Sequence, residues 1–124
     1  MVERGRGNIL FISLLAALMA LPNVAAYSTA KAAQLGMNRT LAVEWSPKGV
    51  RVNTIAPGFI DTEMMCRAVE PDPRRKTKIL SRSPMGDFGA VEDIGWAAVY
   101  LVSPAAKFVT GTCLVVDGGF SIAF

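Results

Sequence analysis

Apolar and polar positions along the chain follow two periods. Asn8 to Ser13, "NILFIS", is a short apolar run with no alternation, the mark of a strand buried on both faces. Pro22 interrupts the next stretch. From Ala25 to about Ser46 the period becomes helical. Ala26, Ala30, Ala33, Met37, Leu41 and Trp45 recur at mixed three- and four-residue spacing, which predicts one inward stripe. Pro47 and Gly49 end that helix. Val50 to Gly58 is β-prone through Val50, Val52 and Ile55, and Pro57-Gly58 stops it. Phe59 to Pro73 reads as a loop, Arg74 to Arg82 as a short basic helix. A helix with Glu92-Asp93 in its first turn runs to about Val102, where Ser103-Pro104 ends it. Thr112 to Gly119 is a last strand closed by a glycine turn.

Strands that alternate with helices predict an α/β fold: a partial doubly wound, Rossmann-type parallel sheet of about three strands with flanking helices. The 124 residues suit a single partial domain with no internal boundary.

Composition narrows the chemistry. Just over half of the chain is hydrophobic, and the net charge of +3 is dispersed, which argues against a nucleic-acid partner. Ile9 to Leu21 is too short for a membrane span. There is no histidine, so Ser-His and Cys-His nucleophile systems are excluded along with most zinc sites; no metal is expected. Cys66 and Cys113 form neither a disulfide framework nor a metal spacing, and Cys113 in its apolar run reads as a core residue. Proton chemistry must come from Tyr, Lys, Asp or Glu.

One stretch has two readings. Basic residues, an apolar run and the small residues Val24 to Ala26 imitate a secretory signal peptide covering residues 1–26. Directly after it, "YSTAK" sets Tyr27 one helical turn before Lys31. A neighbouring cation favours a phenolate, so this pair suits proton transfer as well as it suits a helix start followed by a solvated charge.

Three ordered segments favour the first use. "YSTAK", "VRVNTIAPGFIDT" and "GDFGAVEDIGWAAVYLVSPAAKFVTGTCLVVDGG" together resemble the C-terminal half of a short-chain dehydrogenase/reductase. The resemblance implies an NAD(P)-dependent oxidoreductase of the cytoplasm, working by hydride transfer on a small-molecule carbonyl or alcohol and assembling as a homo-oligomer. It implies Tyr27 as the proton donor, with Lys31 tuning it and holding the cofactor ribose. It implies Pro57, Gly58, Ile60 and Thr62 as the nicotinamide-side loop of NAD or NADP; Thr62 also suits a helix cap before Glu63.

Two departures limit that expectation. The family's catalytic serine, thirteen positions before the tyrosine, is here Leu14, which has no hydrogen to donate. Ser13 is adjacent but points to the opposite face of a regular strand, so it substitutes only if the strand has already ended. The family's glycine-rich cofactor-binding front half is not in this sequence, which leaves "NILFIS" as an open, apolar edge. An impaired enzyme is therefore expected. The alternatives are a non-catalytic oligomerisation or interaction fragment of the same fold, and a small secreted binding protein that sheds residues 1–26.

Overall fold

The computed structural model describes residues 1–123. The apolar run Gly7–Ile12 is strand β1, and it lies parallel to the eight-residue strand β2, Val50–Pro57. Between them runs helix α1, Ala25–Trp45. Helix α2, Glu63–Val69, and helix α3, Pro73–Leu80, form a lobe after β2. Helix α4, Val91–Val102, then leads to strand β3, Cys113–Val116, parallel to the other side of β2. The sheet order is β1-β2-β3. The expected three-stranded parallel Rossmann-type sheet is what forms.

β2 is central, and its residues are buried on both faces, as a central parallel strand requires. Val50 and Val52 meet Ala42, Leu41 and Trp45 of α1 on one face. α4 packs against all three strands; Arg51 and Asn53, which alternate with the valines, reach the segment after it. A second cluster of Leu15, Val69, Ile79 and Phe120 joins the end of β1 to the α2–α3 lobe. The stretch that imitates a signal peptide is thus a sheet strand followed by core: Leu15 is 1 % exposed.

Two sequence expectations change. Phe59 to Pro73 is not one loop, because Glu63–Val69 is helical. The Thr62 hydroxyl accepts a hydrogen bond from the Met65 N–H, and that cap starts the helix. The inward face of α1 follows the predicted stripe only in its second half, at Leu41 and Trp45. Ala26, Ala30, Ala33 and Met37 are exposed, while Ser28, Lys31, Gln34, Asn38 and Ala42 turn inward. The inner face of the first half of α1 is polar, so hydrophobic periodicity selects the wrong side. Asn38 offsets its burial by donating to the Thr112 carbonyl at 3.0 Å.

Candidate active site

The carboxyl ends of β1 and β2 and the start of α1 converge on one edge of the sheet, where ligands of open α/β sheets bind. Tyr27 is the third residue of α1, inside the helix rather than at its cap, and it is 46 % exposed. Lys31 comes one turn later. Its Nζ lies 5.7 Å from the centroid of the Tyr27 ring and donates to the Ile12 carbonyl at 2.8 Å. The two residues therefore share one face of the helix, with the ammonium between the tyrosine and the end of β1.

Ser13 is buried, and its hydroxyl donates to the Lys31 carbonyl at 2.9 Å. That donor is occupied, so the hydroxyl does not take over the role of the missing serine. Leu14 has extended geometry, φ −163° and ψ 154°, and a half-buried side chain.

Pro57 ends β2, and Gly58, Phe59, Ile60, Asp61 and Thr62 carry the chain to α2. Gly58 is required by packing: a Cβ there would sit 2.6 Å from the Asp117 Cα. Ile60 and Thr62 are half-buried, and Thr62 keeps its hydroxyl hydrogen free while its oxygen caps α2. Sequence reasoning missed what holds this loop. Gly89 donates to the Phe59 carbonyl at 3.0 Å and accepts from the Asp61 N–H at 2.8 Å, a clasp across Ile60. A Cβ on Gly89 would meet the Ile60 Cδ1 at 2.8 Å, so a larger residue there would have to turn the Ile60 side chain aside. The one available signal was its place two residues before a predicted helix. Asp93 fixes that helix start by accepting the Ala90 N–H at 2.7 Å.

Asp117 organises the closing turn. Its carboxylate accepts from the Gly119 and Ser121 N–H groups at 2.9 and 2.8 Å. Burial pushes its pKa up, but the hydrogen bonds from Ser121 and Gly119 outweigh that and hold it below the ordinary value. Gly118 and Gly119 have φ of 61° and 84°, the left-handed region that glycine enters without strain. The turn sends Phe120 back against Phe59, with ring centroids 4.8 Å apart. Cys66 is exposed and Cys113 half-buried; both are free, and burial raises the Cys113 thiol. Among the described residues no group of three or more His, Cys, Asp and Glu is placed to hold a metal ion, and no helix is long and apolar enough to cross a membrane.

The family model described as enoyl-(acyl carrier protein) reductase matches residues 1–121. The chain belongs to the short-chain dehydrogenase/reductase family. It is 40 % identical, over 98 % of its own length and 54 % of the relative's, to the inactive 2-(S)-hydroxypropyl-CoM dehydrogenase 2 of Xanthobacter autotrophicus. It is also 40 % identical, over 97 % of the chain and 47 % of the relative, to the 2-dehydro-3-deoxy-D-gluconate 5-dehydrogenase of Bacillus subtilis. A solved structure from Beutenbergia cavernae, a putative NAD(P)-dependent gluconate 5-dehydrogenase with bound NADP, superposes with a TM-score of 0.95. Its identity is 39 %, and the match covers 99 % of this chain and 49 % of that one. The chain spans about half the length of the curated relatives it matches.

For a short-chain dehydrogenase/reductase, these residues fit one end of a dinucleotide. The Lys31 ammonium reaches the end of β1, and the Pro57–Thr62 loop follows the end of the adjacent parallel strand β2.

Proposed function

We propose that the chain is the catalytic half of an NAD(P)-dependent oxidoreductase that interconverts a small carbonyl compound and its alcohol. The observation that carries this reading is the Tyr27–Lys31 pair on one turn of α1, with the Lys31 ammonium at the carboxyl end of β1. The bound cofactor would supply or accept the hydride. The Tyr27 hydroxyl gives a proton to the developing alkoxide in reduction and takes it back in oxidation. The Lys31 ammonium, 5.7 Å from the Tyr27 ring centroid, sets a positive charge beside that hydroxyl and hydrogen-bonds the ribose. The Ile60 backbone and the Thr62 hydroxyl, held by the Gly89 clasp, orient the carboxamide or phosphates. NADP bound in a solved relative supports a nicotinamide dinucleotide, NAD or NADP.

Leu14 limits the rate. A serine at this position would donate to the substrate oxygen as charge builds, and the loss of one such donor costs about 10²- to 10³-fold. A non-catalytic role is the second reading. It is favoured by Leu14 and by the inactive designation of one relative. Self-association belongs to both readings: Trp96 and Phe108 are 71 % and 101 % exposed around α4, more apolar surface than an isolated chain is expected to leave in water. We place the protein in the cytoplasm, where nicotinamide cofactors are supplied.

The test is Leu14→Ser in the chain joined to a family N-terminal half, read as carbonyl-dependent oxidation of the reduced cofactor. A rise of about 10²-fold or more supports the enzyme reading. An unchanged rate removes the account of Leu14, and no turnover from either form favours the non-catalytic one.

A further inference from the structure

We propose that Ser13 is a positioning residue for Lys31, acting through a two-bond clamp between the end of β1 and the first turns of α1. This rests on the assignment of Tyr27 and Lys31 to the reaction, but it is read from different atoms. The clamp has one bond in each direction. The Ser13 hydroxyl donates to the Lys31 carbonyl at 2.9 Å, and the Lys31 ammonium donates to the Ile12 carbonyl at 2.8 Å. Adjacent residues at the end of β1 thus grip the backbone and the side chain of the same lysine.

The strand geometry explains why both partners are available. The Ser13 N–H donates to the Ile55 carbonyl, so the Ser13 backbone faces β2. Backbone groups of neighbouring strand residues face opposite sides, so the Ile12 carbonyl points away from β2, toward the outer edge of β1. Among the described residues no strand pairs with that edge. The Ile12 carbonyl accepts from the Lys31 ammonium on that side. Ser13 meanwhile is 3 % exposed, and its hydroxyl would be an unpaired buried donor without the Lys31 carbonyl.

The consequence concerns the lysine's aim. A lysine side chain is a flexible four-carbon stem with no intrinsic preference for one direction. With the backbone carbonyl tethered by Ser13, the stem of Lys31 starts from a fixed point next to Ile12. Its ammonium then stays within reach of both the Ile12 carbonyl and the Tyr27 ring. Without the Ser13 hydroxyl, the ammonium contact is the one remaining hydrogen bond of the clamp, and Lys31 samples solvent.

The experiment is heteronuclear NMR of the protein without cofactor. Wild type should show a slowly exchanging Lys31 ammonium correlation and a slowly exchanging Ser13 hydroxyl proton with a cross-peak to the Lys31 region. Ser13→Ala should abolish the ammonium correlation while amide dispersion persists, and Ser13→Thr, which keeps the hydroxyl, should restore it. An ammonium correlation unchanged in Ser13→Ala overturns the proposal. If Ser13→Ala does not fold, the wild-type spectrum still decides: a Ser13 hydroxyl proton in fast exchange overturns it. These signals need no turnover, so a clamp that is present in a chain without oxidoreductase activity would contradict the proposed function and leave the clamp standing.

Discussion

Asn53 offers the most quantitative test of how the sheet is held. It is 2 % exposed at the middle of β2. Its Nδ2 donates to the Val109 carbonyl at 2.9 Å, and its Oδ1 accepts the Thr112 N–H at 3.2 Å. One side chain therefore pins two points of the connection that delivers β3, Val109 and Thr112. Asn53→Leu keeps a similar volume and removes both bonds. The Val109 carbonyl keeps a second donor, the Arg51 guanidinium at 2.9 Å, so its loss is small. The Thr112 N–H has no replacement, and an orphaned buried donor costs about 1–3 kcal/mol on top of the roughly 1 kcal/mol of each bond lost. The expected destabilisation is about 3 kcal/mol, a large share of the roughly 5–15 kcal/mol that holds a typical domain together. Urea unfolding followed by Trp45 fluorescence suits the measurement, because Trp45 packs on the Val50–Val52 cluster. With a slope of about 1–3 kcal/mol/M, the midpoint should fall by about 1–3 M. Asn53→Ala should cost as much or slightly more, since it adds a small cavity. If both variants unfold within about 0.5 kcal/mol of wild type, the argument that these two bonds anchor β3 is wrong.

Two further outcomes concern the site's surroundings. Asp117 has its folded pKa lowered below the ordinary 3.8, so its contribution is fully present above that value and is lost as pH falls through the lower folded pKa; Asp117→Asn should flatten acid unfolding in that window, and an unchanged profile would count against the turn's hydrogen bonds. Gly58→Ala places a Cβ 2.6 Å from the Asp117 Cα, so it should cost about 1–3 kcal/mol in thermal unfolding and shift the amide resonances of Ile60 and Thr62; a silent substitution would show that the two segments do not pack this closely.

Much of the fold was legible because its signals are local. Buried parallel strands are short apolar runs, and Pro57-Gly58, Pro47 and Ser103-Pro104 stop elements wherever they stand. α2 was missed because its seven residues are too few to show a period and its start depends on the Thr62 cap. The stripe of α1 was misread because Ser28, Lys31, Gln34 and Asn38 face inward, where Lys31 serves the sheet edge and Asn38 the Thr112 carbonyl. At the site, the helical spacing of Tyr27 and Lys31 was enough to bring them together. The Gly89 clasp and the Ser13–Lys31–Ile12 clamp were not legible. Both end on backbone carbonyls distant in sequence from their donors, and a backbone acceptor leaves no trace in residue identity.

The central claim is that Tyr27 carries the proton in a nicotinamide-dependent reaction. The direct measurement compares Tyr27→Phe with its parent in a fusion of the chain to the N-terminal half of the Bacillus subtilis relative, with Leu14→Ser in both to raise the signal. Carbonyl-dependent oxidation of the reduced cofactor should fall by about 10²- to 10⁴-fold in the phenylalanine form, the usual contribution of a positioned proton donor. A parent that turns over at the same rate with phenylalanine at position 27 would contradict the account.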